Sequence, residues 1–178
     1  LEEIHRQERL IDSYFRAGYY NNAIGLMREL IVSRVSMRYS SSDSDWLDYK
    51  KSRKPIEQKL GALMHFSQSK ESRDILDESK RILAGCWSKI INTRNDLHHH
   101  GMDQDDVRIE KRVRNLSVTW NTLKDHLDDD GFWDVSFGGG SGQLLISPLG
   151  LFPGFLYTAL QETESDVCLV IASKESKE

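Results

Sequence analysis

The sequence predicts a mainly α protein, an antiparallel bundle of four to five helices followed by a β-α-β fragment of a doubly wound parallel sheet. Three observations carry this. Apolar residues recur at three- and four-residue steps through residues 2–127, which is the period of helices with one buried side. A glycine run at 138–142 interrupts the pattern, and beyond it short apolar runs alternate with turn residues. The expected divisions are 1–131 for the bundle, 132–142 for a Gly-rich linker and 143–178 for the partial sheet.

Residues 2 to 17 set Ile4, Ile11, Tyr14 and Phe15 among charged positions, a helix with one apolar side. Gly18-Tyr19-Tyr20 breaks it, and Asn21 or Asn22 is expected to cap the next helix. That second helix, to about Tyr39, buries Ala23, Ile24, Leu26, Met27, Leu30, Ile31 and Val35, with Arg28, Glu29, Arg34 and Arg38 on its other faces. Ser40 to Ser44 is a turn-rich loop, and Trp46, Leu47 and Tyr49 pin a short helical turn after it.

Pro55 suits the first turn of a third helix carrying Ile56, Leu60, Leu63, Met64 and Phe66, which ends at Ser67-Gln68-Ser69. A long fourth helix is expected from about Glu71 to His98. Its apolar stripe is Ile75, Leu76, Ile82, Leu83, Cys86, Trp87, Ile90 and Ile91, and it carries Arg94 along before Gly101 stops it. Asp103 to Asp106 then start a fifth helix with Val107, Ile109, Val113, Leu116, Val118, Trp120, Leu123 and Leu127, ending near Asp128-Asp129-Asp130-Gly131. Short connections between such helices make an antiparallel bundle.

Phe132, Trp133, Val135 and Phe137 alternate ahead of the linker glycines. Past them, Leu144-Leu145-Ile146 reads as a strand, Ser147-Pro148-Leu149-Gly150 as a turn, Gly154 to Gln161 as a helix and Val167 to Ala172 as a second strand. Two strands do not complete a doubly wound sheet. Either the segment pairs with another chain or the sequence is cut short, and the second is favoured.

Composition narrows the function classes. A chain of 178 residues suggests one domain, or one and part of a second. Apolar content of 38% with 29% charged residues fits a bundle with long solvated faces. The formal net charge of -4 gives no global basic field, so any nucleic-acid contact has to be local. Cys86 on a helix stripe and Cys168 in a strand read as reduced core thiols of a cytoplasmic protein. No apolar run approaches the roughly 20 residues that span a bilayer, so no membrane is expected among the partners. The chain opens on Leu1-Glu2-Glu3, with neither initiator methionine nor signal pattern, and is expected to be a piece of a longer protein.

The stretch with chemistry in it is Arg94-Asn95-Asp96-Leu97-His98-His99-His100-Gly101. A guanidinium forks onto phosphate, and imidazole gives and takes protons near neutral pH. With about 3.6 residues per turn, His98 lies one turn beyond Arg94 on the same face, and His99 roughly 140° round from it. If the helix stays regular, His98 is the nearer neighbour; if it loosens, His99 can swing in. The bland readings are an Arg94 that satisfies helix-terminal carbonyls, an Asn95 that favours the helix end, and a solvated histidine run. A metal site is not expected, because three adjacent histidines on a helix cannot face one ion and no spaced cysteine or carboxylate partners accompany them.

At these residues the chain resembles the HEPN domains, all-helical modules whose ribonuclease members carry an arginine, a polar residue directly after it, and a histidine four to six residues on. Arg94, Asn95 and His99 fit with four residues between, and His100 fits with five. Tyr19-Tyr20-Asn21-Asn22-Ala23-Ile24, leading into Leu26-Met27-Arg28-Glu29, also looks like the HEPN part of CRISPR-associated proteins of the Csx and Csm type. The segment from Ile146 through Ser147-Pro148-Leu149-Gly150 to Pro153-Gly154 resembles the opening of a CARF domain, the Rossmann-like sensor of cyclic oligoadenylates in type III CRISPR systems. In those proteins the sensor usually precedes the nuclease, and here the order is reversed. The plain alternative for Ser147 to Gly150 is a strand-to-helix turn.

The HEPN resemblance implies a metal-independent endoribonuclease of antiviral defense, without cofactor, acting on single-stranded RNA as a homodimer. Arg94 and His99 of two chains would face each other across the interface. His99 would move the proton, Arg94 would hold the scissile phosphate and Asn95 would orient the pair, with His98 and His100 as accessory candidates. The products would be a 2′,3′-cyclic phosphate and a 5′-hydroxyl. Ser147 and Gly150 would contact a cyclic oligoadenylate. Two other readings stay open: a catalytically inactive dimerisation module that transmits a signal from a neighbouring sensor, and the toxin of a toxin-antitoxin pair.

Overall fold

In the computed structural model the second helix, α2 (Tyr20–Tyr39), is the axis on which the others are laid. It packs against α1 (Glu2–Arg16), α3 (Lys54–Gln68), α4 (Glu78–His99) and α5 (Asp106–Lys124). The described residues are 1–40, 45–68, 76–99, 106–136, 144–148 and 168–172. The chain divides into two units, Leu1–Val135 and Ser136–Glu178, and the first is the helical bundle.

α2 reads as central because its second half has no solvent side. Leu30, Ile31, Val32, Ser33, Arg34, Val35 and Ser36 are all buried in succession, and only a helix covered all round can bury consecutive residues. Arg34 is thereby a correction to the expected outward face. It is 3% exposed, donates through Nε to the Leu127 carbonyl at 3.0 Å and pairs with Asp130. Arg28 lies partly covered between Glu29 at 2.6 Å and Glu57 of α3 at 2.9 Å.

α1 has Glu2 and Glu3 in its first turn and Arg16 in its last, charges that match the helix dipole, and it turns Ile4, Gln7 and Ile11 inward. Its end is a Schellman motif. The Tyr19 N–H reaches the Tyr14 carbonyl at 2.9 Å and the Gly18 N–H the Phe15 carbonyl at 3.2 Å, with Gly18 at φ +75°. A β-carbon at Gly18 would meet nothing within 4 Å, so Gly18→Ala tests the backbone alone. Chemical denaturation should show a loss of about 1–2 kcal/mol for that variant.

The residue preceding α2 is Tyr19, which makes no side-chain cap, so Asn21 and Asn22 lie inside the helix and the expected asparagine cap is not used. After α2, Asp45–Leu47 forms a 3₁₀ turn and Tyr49–Arg53 a π turn. Asp48 joins them by accepting the Lys50 and Lys51 N–H groups, both at 2.9 Å. α3 follows with Pro55 in its first turn and Ile56, Leu60 and Leu63 buried. α4 starts later than Glu71, because Leu76 and Asp77 precede it and Asp77 is its cap, accepting the Lys80 N–H at 2.8 Å. Residues 41–44, 69–75 and 100–105, which take in most of the serine loop, Ile75 and Gly101, lie outside the described residues.

On α5, Leu116, Trp120 and Leu123 are buried, and Leu127 beyond its end is buried with them; Val118 is 58% exposed. The greatest departure comes next. Phe132, Trp133 and Val135, expected in the linker, are fully buried in the bundle, and the first unit accordingly runs to Val135. The Trp133 indole donates to the His126 carbonyl at 2.7 Å, and Phe132 stacks on the His126 ring at 4.1 Å between centroids. The acidic run is equally engaged: Asp129 accepts the Gly131 and Phe132 N–H groups at 3.0 and 3.3 Å, Asp128 meets His5 at 3.3 Å, and Asp130 meets Arg34.

Tyr39 ties the far end of α2 to the same segment, donating to Asp134 at 2.6 Å and accepting the Val135 N–H at 3.1 Å. Burial first, and the adjacent Asp134 carboxylate second, push the phenol up to about 12 from 10.0. A raised folded pKa means that Tyr39's share of stability is complete below pH 10 and is lost as pH rises through about 12. The stability difference between wild type and Tyr39→Phe, followed by urea unfolding, is expected to be constant through neutral pH and to shrink across that alkaline window.

In the second unit, β1 (Leu144–Pro148) and β2 (Cys168–Ala172) pair in parallel, with Ile146 opposite Val170 and Ser147 opposite Ile171. Ser147 and Pro148 therefore extend the strand in place of opening a turn. The expected helix at 154–161 lies outside the described residues, as do Gly150 and the rest of the connection. Among the described residues, no helix is long and apolar enough to cross a membrane.

Candidate functional site

The end of α4 projects beyond the packed core. Leu83, Ala84, Cys86, Trp87 and Ile90 are buried, and after Ile90 no residue of the helix through Leu97 is. Arg94, expected to travel with the buried stripe, is exposed instead, and so is Asn95. Ile90 is the last buried position of the stripe, and one turn further on Arg94 is no longer covered.

Among the described residues, no hydrogen-bond or ion-pair partner engages Arg94 or the Asn95 side chain. Asp96, half-buried, pairs with Arg112 of α5 at 3.2 Å, which ties the last turns of α4 to α5 and engages the acid two residues from Arg94. The tie holds the helix end without occupying its arginine. α4 then continues to His99, so positions 98 and 99 both belong to the helix. On a regular helix position 98 is one turn from Arg94, whereas position 99 is roughly 140° round. His100 lies outside the described residues. Arg94, Asn95, His98 and His99 thus share one helix end, and Ser147 belongs to β1 of the other unit.

Such an end suits a phosphodiester chemically. A free guanidinium offers five donors in a fork, and the adjoining amide offers both donor and acceptor. Among the described residues, no three His, Cys, Asp or Glu side chains gather as metal ligands. Cys86 is buried, and despite the countering charge of Lys89 that burial pushes its thiol up to about 11, which favours the less reactive thiol form.

Of the histidines outside this stretch, His65 is exposed, whereas His5 and His126 are fastened to the acidic segment after α5. A groove between α1 and α5 is not among the features expected from the sequence. Asp12, Phe15, Arg16, Tyr20, Ser117 and Asn121 line it, with Trp120 and Lys124 in its wall. The available signal was the spacing 113, 117, 120, 121, 124, one stripe of α5 that mixes polar and aromatic residues at helical period.

Compared with known proteins, the chain matches no family model, no curated protein and no solved structure.

Proposed function

We propose that the chain is a metal-independent endoribonuclease of HEPN type, cutting single-stranded RNA at a site doubled by a homodimer. The observation that carries this reading is the exposed Arg94-Asn95 pair on the terminal turns of α4, without a partner among the described residues, in a helix that continues through His99. An arginine that only satisfied its own helix end would be engaged with carbonyls or an acid; here Arg112 takes the neighbouring acid. In the proposed cleft Arg94 neutralises the phosphate as charge builds, and His99 takes the proton from the 2′-hydroxyl or protonates the leaving 5′-oxygen. Asn95 orients them. The parallel pair β1-β2 is read as the beginning of a Rossmann-like, CARF-like sensor, with Ser147 and Gly150 toward a cyclic oligoadenylate.

The test is cleavage of single-stranded RNA by the purified chain, with product ends identified. Cleavage unaffected by EDTA, giving 2′,3′-cyclic phosphate and 5′-hydroxyl ends and lost in Arg94→Ala, supports the reading. Cleavage that survives Arg94→Ala refutes it.

One observation favours a second reading, a dimerising module without catalysis. The helix is regular to its end, which sets position 98 rather than 99 one turn from Arg94. Absence of any RNA cleavage, with dimerisation retained, would select it.

A further inference from the structure

We infer that the groove between α1 and α5 is a stacking subsite for single-stranded RNA next to the proposed cleavage end, an inference that rests on the nuclease reading for its substrate class. Its volume of about 550 Å³ lies within the range of small-molecule pockets and suits a nucleotide. Phe15 and Tyr20, both half-buried, stand edge to face at 6.2 Å between ring centroids, giving the groove an aromatic flank. Bases stack on such rings with little regard to sequence.

The opposite flank is the stripe of α5 that runs Val113, Ser117, Trp120, Asn121 and Lys124. The eleven helical steps from Val113 to Lys124 extend about 16 Å, enough for more than one base. Ser117 and Asn121 present a hydroxyl and an amide, which match the edges of bases. Arg16 and Lys124 supply the charge. Lys124 meets Asp12 at 3.2 Å and lies over the Trp120 ring at 5.6 Å, which leaves ammonium donors for a phosphate. Arg16 spends two contacts, both at 3.3 Å, on the Asp12 carbonyl and the Ser13 hydroxyl, and keeps further donors. Asp12 holds this frame together by also accepting the Trp120 indole N–H at 2.6 Å.

The Val113 end of the groove lies toward the start of α5, the end of that helix at which Arg112, on a neighbouring face, reaches Asp96, two residues from Arg94. RNA lying along α5 would therefore bring the next phosphate toward the end of α4. A chain of net charge -4 needs such a local site to hold RNA at all.

The experiment measures fluorescence anisotropy of a labelled single-stranded RNA oligonucleotide with the full Arg94→Ala chain, so that binding is read without cleavage. Asn121→Asp sets a negative charge in the groove at an exposed position, and Val118→Asp sets the same charge on α5 outside it. The expected result is a loss of about tenfold or more in affinity for Asn121→Asp, less than about twofold for Val118→Asp, and about tenfold for Phe15→Ala. Equal effects of the two aspartates, or no RNA binding at all, would overturn the inference. The nuclease reading fails separately: wild-type protein that binds RNA through the groove and cuts none sinks that reading alone, and wild-type cleavage with groove-independent binding sinks only the subsite.

Discussion

Trp133→Ala is expected to cost about 3–5 kcal/mol of bundle stability, more than any surface change in the chain. The indole is fully buried, meets Phe132 edge-on at 5.1 Å between centroids and donates to the His126 carbonyl. Its loss leaves a cavity and takes one of two donors from the His126 carbonyl, which keeps the Asp129 N–H at 3.1 Å. It also removes the ring over which the Arg34 guanidinium lies, at 5.9 Å from the ring centroid, inside the most covered part of α2. Leu127 and Asp130 compensate the buried Arg34 charge, and Trp133 is the side chain that closes that arrangement. Truncation after Gly131 should therefore destabilise the bundle at least as much as Trp133→Ala, whereas truncation after Ser136 should be tolerated. If thermal melts of the two truncated chains coincide, the segment after α5 is not part of the core.

That segment also shows what was legible in the sequence. Helix periodicity marked α1, α2 and α3 within a residue or two at most boundaries, because α1, α3 and the first half of α2 alternate buried and solvated faces. It did not mark the role of 132–135. Short aromatic alternation beside a glycine run carries no sign of whether it packs, and what decides the matter is Arg34, which lies near the segment only in three dimensions. Arg34 itself was misplaced for a related reason: an arginine on a helix is outward by default, and the partner that permits its burial is 96 residues away. At the candidate site the residue types were readable and their exposure was not. The stripe Leu83, Cys86, Trp87, Ile90 predicts a covered Arg94, but covering depends on where the neighbouring helices stop.

Arg94→Ala should lower RNA cleavage by about 10²–10³-fold or more, because a guanidinium at the scissile phosphate acts where charge develops. The histidine that works with it is the more informative question. Loss of a general acid or base costs about 10²–10⁴-fold, so His99→Ala should match Arg94→Ala while His98→Ala retains most activity. Within one chain the regular end of α4 opposes this expectation, since position 98 is the one a turn from Arg94. A homodimer resolves the conflict by letting Arg94 of one chain work with His99 of its partner, a pairing for which position on a single helix is no constraint. The two arrangements are separable by mixing. Arg94→Ala and His99→Ala chains, each inactive alone, leave no chain with both groups, yet a mixed dimer retains one intact pair across its axis, and an equal mixture should recover roughly a quarter of wild-type activity. A mixture that stays inactive after subunit exchange rules out the shared site. If His98→Ala is then the inactive variant and His99→Ala the active one, the imidazole belongs to the same helix face as its arginine and the site is built within one chain.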